Sequence, residues 1–479
     1  MTIRTRILAT VGPATASRKT LHDMFEAGCD AVRINFSHGD EQQREGFLAD
    51  IRAVEQQRGE PIAVCGDLCG PKIRVGQIHG GAVLLAEGQE LVIQREPVEG
   101  DATRISTTLG ELVDDVTAGE PILLDDGKLR LEVVETRPPE EILCRVVVGG
   151  ILADGKGVNL PGTQLKLSAL TEKDRKDVAW IAQHDFDYVA LSFVQRAEDV
   201  EALRAILREH NCDAQIIAKI EKPKALDQLD AILHAADAVM VARGDLGVEM
   251  DFPAVPVAQK RIALRARQLG KPCIIATQML ESMIQCPTPT RAEVSDVANA
   301  VLDHADAVML SGETSVGKYP VQAVQAMNRT VQAIQAYDDQ THGTAIVTYE
   351  ASPTMAAIAR AVRTILEAED IAAIAVFTAT GATARMIAKN RPTCPILALT
   401  PELRAARRTC LYYGVQAVVP RADHAPEHTR EILTMASDIA QQKGLAKRGD
   451  RIIVVSGRPL LGPDRTNSLV IHTVGEIFS

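Results

Sequence analysis

Residues 216–250 read IIAKIEKPKALDQLDAILHAADAVMVARGDLGVEM. Two short apolar runs, Ile216–Ile220 and Ala238–Ala242, flank a helix-like stretch, and each run ends in charged or glycine residues. Continuous apolar runs of this length suit strands buried on both faces, as in a parallel sheet. The same unit recurs in both directions. Upstream lie Arg6–Val11, Ala31–Phe36, Ile62–Asp67 and Tyr188–Phe193; downstream lie Cys273–Thr277 and Ala307–Gly312, which makes eight runs. Helical segments such as Lys19–Ala27, Asp199–Glu209 and Val257–Leu269 alternate with them. Eight strand–helix units predict an α/β fold of the closed (β/α)8 TIM-barrel type rather than an open doubly wound sheet.

One insertion breaks the pattern after the third run. From Pro71 to Leu167 the sequence changes to GGAVLLAEGQELVIQ, GEPILLDDGKLRLEVVE and EILCRVVVGG. Short alternating runs with Gly and Asp-Gly turns predict a small β-barrel. Placed in a strand–helix loop, it sits over the barrel's C-terminal mouth, where it can act as a lid. Beyond about Thr341 a third pattern begins. Runs at Ala372–Phe377, Ile396–Leu399, Ala417–Val419, Ile452–Ser456 and Leu469–Val474 alternate with helices, which predicts an open α/β domain. The expected division is 1–70 and 168–342 for the barrel, 71–167 for the lid and 343–479 for the C-terminal domain.

Composition agrees with a multidomain globular protein. The 479 residues exceed what one core usually serves. The net charge of −11 argues against nucleic acid and anionic membrane as main partners. No apolar stretch has the length of a membrane span. Nine cysteines lie singly, several inside apolar runs, as in a reduced cytoplasmic protein. The beginning, MTIRTRILATVGPAT, carries no secretion-type pattern.

Barrel enzymes place catalytic groups at the C-terminal ends of strands. There the second run offers Arg33, Asn35, Ser37 and His38, and the third offers Asp67, then Lys72 and Arg74 in GPKIR. An arginine aimed at the mouth suits phosphate. Lys219 and Glu221 alternate with Ile220, so both face inward, where burial is costly without a partner or ligand. Asp245 adds a second carboxylate, a minimal pair for Mg2+. Gly244 and Asp245 open a short helix whose amide groups suit an anion. Thr277, Ser311 and Glu313 complete the rim. The inventory describes a divalent-metal site for a small anion bearing phosphate or carboxylate. Structural ion pairs account for single members of it. At this level a kinase and a Mg2+-dependent lyase both fit. A P-loop NTPase is excluded by the lack of a GxxxxGK[ST] loop.

Longer motifs decide further. ILATVGPAT, AVRINFSHG, GPKIR, KGVNLPG, IIAKIEKPKAL, MVARGDLGVE, ATQMLESM and PTRAEVSDVANAVLDHADAVMLSGETSVGKYP run through the chain. With them the sequence resembles the pyruvate kinases from its first strand to its last. The resemblance implies transfer of the phosphoryl group of phosphoenolpyruvate to ADP, giving pyruvate and ATP, in a cytoplasmic homotetramer. It implies that Lys219 stabilises the phosphoryl group in transit and that Arg33 holds it. Glu221 and Asp245 match ligands of Mg2+, with Mn2+ as an alternative. Gly244, Asp245 and Thr277 match groups around the substrate carboxylate; the enolate proton comes from Thr277 or from a water relay. Asn35, Phe36, Ser37, His38, Arg74 and Lys156 match nucleotide contacts, and Ser311 and Glu313 match a flank of the substrate site.

One departure stands out. Many members hold K+ with an Asn, a Ser, an Asp and a Thr, and carry GPEIR. Here Asn35, Ser37 and Asp67 remain, but Leu68 replaces the Thr and Lys72 replaces the Glu. An ammonium from Lys72 supplies the missing charge, so K+ is expected to be dispensable. In the C-terminal domain, FTATGATARMIAKNRP sets Thr378, Thr380, Gly381 and Thr383 on a strand-to-helix turn, which suits phosphate. Arg458, in SGRPLLGPDRTNS, is expected to close over a phosphorylated sugar or nucleotide monophosphate effector. A barrel lyase leaves KGVNLPG unexplained, and a silent binding protein leaves the intact inner site unexplained.

Overall fold

The computed structural model describes residues 3–163, 169–341, 353–420, 428–457 and 466–476. The expected domain boundaries at 167/168 and 342/343, and Arg458, lie outside the described residues. Eight parallel strands close into a barrel. They are β1 (Arg6–Val11), β2 (Ala31–Asn35), β3 (Ala63–Asp67), β4 (Tyr188–Leu191), β5 (Gln215–Ile220), β6 (Ala238–Ala242), β7 (Cys273–Ala276) and β8 (Ala307–Leu310). Neighbours follow chain order around the ring, with β1 pairing β8. Helices on the outside begin where a side chain receives the free amide three residues on, as Ser17, Asp40, Thr171 and Thr290 do.

Alternation along each strand divides the core in two. Ile7, Ala9, Val32, Ile34, Val64, Ile216 and Ala218 pack outward against the helices. Leu8, Ala31, Cys65, Tyr188, Ala190, Ile217, Met240, Ile274 and Met309 fill the barrel interior. The interior parity carries on to Thr10, Arg33, Asp67 and Lys219, one step nearer the mouth. Charged residues thus sit directly above an apolar plug.

Between β3 and the helix Glu172–Ala182 the chain builds the lid. Its six-stranded sheet runs from Val158–Asn159 at one edge to Arg104–Ser106 at the other. The entering segment bridges both edges: Arg74 pairs with Gly157, and Val75 with Thr107. Bonds from Val75 N to Lys156 O (2.8 Å) and from Gly76 N to Ser106 O (2.8 Å) complete the closure. The segment that leads into the lid is therefore also the stave that closes it around its own core of Leu91, Ile93, Ile122, Leu131 and Ile142.

The C-terminal sheet has five strands, in the order 415–418, 396–399, 373–377, 451–457 and 466–473; only the last is antiparallel. This domain docks on the barrel floor, opposite the lid. Tyr188 Oη donates to Arg408 O (2.6 Å), and Arg6 Nε donates to Tyr412 O (3.2 Å). Lys389 Nζ reaches Asp306 Oδ2 at 2.5 Å, and Arg407 Nε reaches Glu55 Oε1 at 2.7 Å. Leu411 enters the barrel interior itself and joins its core as a floor plug.

Strand ends differ from expectation at functional turns. β4 stops at Leu191 and β7 at Ala276, because Phe193 (φ 57°) and Thr277 (φ 68°) turn into the left-handed region. β8 stops at Leu310, and a short helix starts at Gly312. The third strand of the C-terminal domain runs Val415–Val418 rather than Ala417–Val419 in its bounds. Among the described residues no helix is long and apolar enough to cross a membrane.

Candidate active site

Lys219, on β5, is 9% exposed and stands among oxygen atoms from three strands. Its Nζ donates to Ser192 Oγ at 2.7 Å and lies 2.9 Å from Glu221 Oε1 and 3.2 Å from Asp67 Oδ1. Burial alone would lower its pKa, but the Asp67 and Glu221 carboxylates outweigh burial and hold it above the ordinary lysine value. It is a permanent cation. Asp67 is kept below the carboxylate range: burial pushes it up, and Lys219 with Arg33 pulls it further down. Arg33 Nε donates to Asp67 Oδ2 at 2.6 Å and Nη1 to Thr10 Oγ1 at 3.0 Å. Those two bonds fix the guanidinium plane.

Glu221 is raised, first by burial and then by the nearby Asp245 charge, against the pull of Lys219. Its Oε2 accepts from Phe193 N at 2.8 Å, which explains the left-handed turn at Phe193: the turn aims an amide at the carboxylate. Asp245 lies in the helix Arg243–Glu249, and its Oδ1 is 3.8 Å from Lys72 Nζ. Lys72 thus faces Asp245, and Asp67 keeps Arg33 and Lys219 as its partners. The neighbouring Leu68 is buried at 1% exposure and offers no side-chain oxygen.

Thr277 holds a backbone conformation rare for a β-branched residue, worth about 1–3 kcal/mol of strain. Arg243 Nη2 clamps its carbonyl at 2.7 Å, and Gly244 N donates to its Oγ1 at 2.7 Å. A Cβ at position 244 would meet that oxygen at 3.3 Å, so glycine permits the close approach. Glu313 spends both oxygens on the backbone, accepting from Leu280 N (3.0 Å) and Ser311 N (2.7 Å). It braces the turn that presents Ser311, whose buried Oγ has no hydrogen-bond partner among the described residues.

Asn35 Oδ1 accepts from Ser37 N at 3.0 Å, and Asn35 Nδ2 lies 3.3 Å from His38 Nδ1. Burial, followed by the cations of Arg74, Arg33 and Lys72, lowers His38, so its imidazole is neutral at pH 7. On the lid, Arg74 Nη1 donates to Gly155 O at 2.9 Å, and Lys156 Nζ lies 2.9 Å from Asp125 Oδ1. The Phe36 ring is fully buried against Trp180 and Phe186, with the Arg44 guanidinium over its face, so it packs the barrel wall.

The sequence reading missed Ser192, the hydroxyl that receives Lys219. Parity announces it: Tyr188 and Ala190 face the interior, so position 192 does too. It also missed Asp125, which holds Lys156, and Glu249 at the far end of the Asp245 helix.

Two family models match the chain: "Pyruvate kinase, barrel domain" over residues 2–324 and "Pyruvate kinase, alpha/beta domain" over residues 356–472.

The chain belongs to the pyruvate kinase family.

Relatives agree along its length. It is 42% identical to a pyruvate kinase of Geobacillus stearothermophilus, over 99% of this chain and 81% of that one. It is 41% identical to a pyruvate kinase of Mycobacterium tuberculosis, over 99% of both. A crystal structure of a pyruvate kinase from Cryptosporidium parvum superposes with a TM-score of 0.92 at 33% identity, covering 99% of this chain and 96% of that one. Membership in the pyruvate kinase family makes the chain a phosphotransferase.

Proposed function

We propose that the chain transfers the phosphoryl group of phosphoenolpyruvate to ADP, giving pyruvate and ATP. The observation that carries the reading is the charge arrangement at the mouth. A buried, permanently charged Lys219 stands between Asp67 and Glu221, with Arg33 locked alongside. Phosphoryl transfer requires positioning and neutralisation of spread negative charge more than covalent help. Lys219 lies over the phosphoryl group in transit, and Arg33 holds its oxygens. Gly244, Asp245 and Thr277 receive the substrate carboxylate, and Thr277 or a water beside it protonates the enolate. Asn35, Ser37, His38, Arg74 and Lys156 contact the nucleotide. Ser311, with its unpartnered buried Oγ, is available to a water at the flank.

Glu221 and Asp245 fit Mg2+, or Mn2+ in its place. They lie near enough for Asp245 to raise Glu221. Among the described residues no group of three or more metal-binding side chains comes together. Two carboxylates plus substrate oxygens and water is the usual share for Mg2+. When bound, the ion neutralises phosphate charge.

K+ is dispensable in this reading, because Lys72 brings a fixed ammonium to Asp245 and Leu68 removes a potential oxygen ligand. The C-terminal domain takes a phosphorylated sugar or nucleotide monophosphate as an activator. There Gly381 (φ 84°) turns its N–H onto Thr378 Oγ1 at 3.0 Å, and Thr383 Oγ1 meets Thr466 Oγ1 at 2.7 Å. Thr380 stands exposed beside them. The assembly is a cytoplasmic homotetramer.

The test is pyruvate formation from phosphoenolpyruvate and ADP with Mg2+, in buffer free of Na+ and K+, with and without added K+. Equal turnover in both supports the transfer and the role of Lys72. Turnover only with K+ keeps the transfer and removes the Lys72 reading. No turnover in either overturns the proposal. For the effector, the same assay is run against phosphoenolpyruvate concentration with sugar phosphates or AMP. An unmoved saturation curve would remove that part.

A further inference from the structure

The helix Arg243–Glu249 has two ends with different neighbours. Near its start, Gly244 and Asp245 face the substrate site. At its last position, Glu249 is buried at the lid hinge, 6% exposed. Asp245 and Glu249 are four residues apart and share one helix face, separated by about one turn. That face meets both strands of the hinge. Lys72, on the segment entering the lid, lies 3.8 Å from Asp245 Oδ1. Asn159, on the segment leaving it, donates from Nδ2 to Glu249 Oε1 at 3.0 Å. Lys222, in the loop that follows β5 and next to Glu221, reaches the same oxygen at 3.2 Å. Pro71, Ile73, Val158 and Leu160 pack around these groups in a small cavity of about 30 Å³.

A carboxylate this buried requires partners, and here one comes from the lid and one from the barrel. We infer that Glu249 is a positioning residue that latches the lid hinge to the helix carrying Gly244 and Asp245, so that lid position and substrate-site geometry are set together. Asn159 is the lid's half of the latch, and Lys222 is the barrel's half. The lid is rigid because its entering segment closes its own barrel. A lid closed on itself and tied at Asn159 to Glu249 takes its position from the helix that carries Glu249. Arg74 and Lys156, carried on the lid, are then delivered to the nucleotide by the latch rather than by contacts of their own. The inference rests on the nucleotide-contact reading of Arg74 and Lys156 given above.

The latch predicts a specific kinetic signature. Asn159→Ala and Glu249→Ala should each raise KM for ADP by roughly fivefold to tenfold, the upper part of the range for one net hydrogen bond. The kcat should fall less than about twofold. Glu249→Gln, which keeps an oxygen for Asn159, should restore most of the ADP affinity. The double variant Asn159→Ala/Glu249→Ala should be no worse than Glu249→Ala alone, because Glu249→Ala already removes the Asn159 contact. KM for ADP, KM for phosphoenolpyruvate and kcat are measured on the full chain for all four variants, with thermal melts alongside. Effects on KM for ADP that multiply in the double variant overturn the latch. So does a loss of kcat with unchanged KM, or an unchanged KM for ADP in both single variants. A wild type that makes no pyruvate overturns the functional reading instead, and it is scored before any variant is made.

Discussion

Both ends of the barrel bury ion pairs, yet they use them differently. At the floor, Lys389, Asp306 and Arg391 are each no more than 2% exposed, and the pairs join the C-terminal domain to the barrel. At the mouth, Asp67 is equally enclosed and Lys219 is buried at 11% side-chain exposure, but the set continues outward to Asp245 and Lys72, which are about one-third exposed. The floor cations also spend themselves on carbonyls: Lys389 donates to Lys271 O at 2.6 Å, and Arg391 donates to His304 O. The mouth cations point at carboxylates and hydroxyls that a ligand can displace or share. Buried charge alone therefore does not mark a site. A charge set that opens toward solvent does.

The strongest way to break this comparison is to remove one cation from each end. Lys219→Met should lower kcat by about 10³-fold or more, while the protein still folds. Retention of turnover would falsify its role. Lys389→Met should do the reverse. It leaves Asp306 partly unpaired in the interior and should cost about 3 kcal/mol in urea unfolding, while the folded enzyme keeps its kcat. If the floor variant lost turnover without losing stability, the two ends would not be separate in kind.

A pH experiment sharpens the point. Burial pushes the floor carboxyl of Asp187 up to about 6, despite the opposing pull of Arg52. Its unfolded value is about 3.9. The native state then binds more protons than the unfolded state between those values, so this group's contribution is full below about pH 4 and is lost as pH rises through about 6. The stability gap between wild type and Asp187→Asn should shift against wild type across that window, read by urea midpoints at several pH values. A gap that stays constant with pH would show that Asp187 titrates normally. The smallest effect belongs to the lid surface. Asp125 holds both Lys156 and Lys128 at an exposed site, so Asp125→Asn should change stability by no more than about 1 kcal/mol and KM for ADP by less than about threefold.

The barrel was legible because its strands are unbroken apolar runs whose parity separates interior from exterior. Arg33, Asp67, Lys219 and Glu221 could be placed from that parity, and the structure gathers them. The rim was harder to read. Hydropathy carries no φ angle, so the strands were expected to run on through Phe193 and Thr277, where the chain turns left-handed. Phe36 lies between Asn35 and Ser37, and alternation turns its ring into the wall. Glu249 had no signal at all. Its partners lie 90 and 27 residues away, and only folding brings them to one carboxylate. Closure of the lid was equally hidden, because single bridges from Arg74 and Val75 leave no periodic trace.

Leu411, the plug in the barrel floor, sets a timetable for the chain's birth. It belongs to the barrel's interior core, yet it follows β8 by about a hundred residues. At a synthesis rate of about 5–20 residues per second, the eight strands exist for roughly 5–20 s before their floor plug leaves the ribosome. During that interval water has access from below to Leu8, Tyr188 and Ile217. The nascent barrel is thus an unfinished vessel, and the domain that seals it is translated after it.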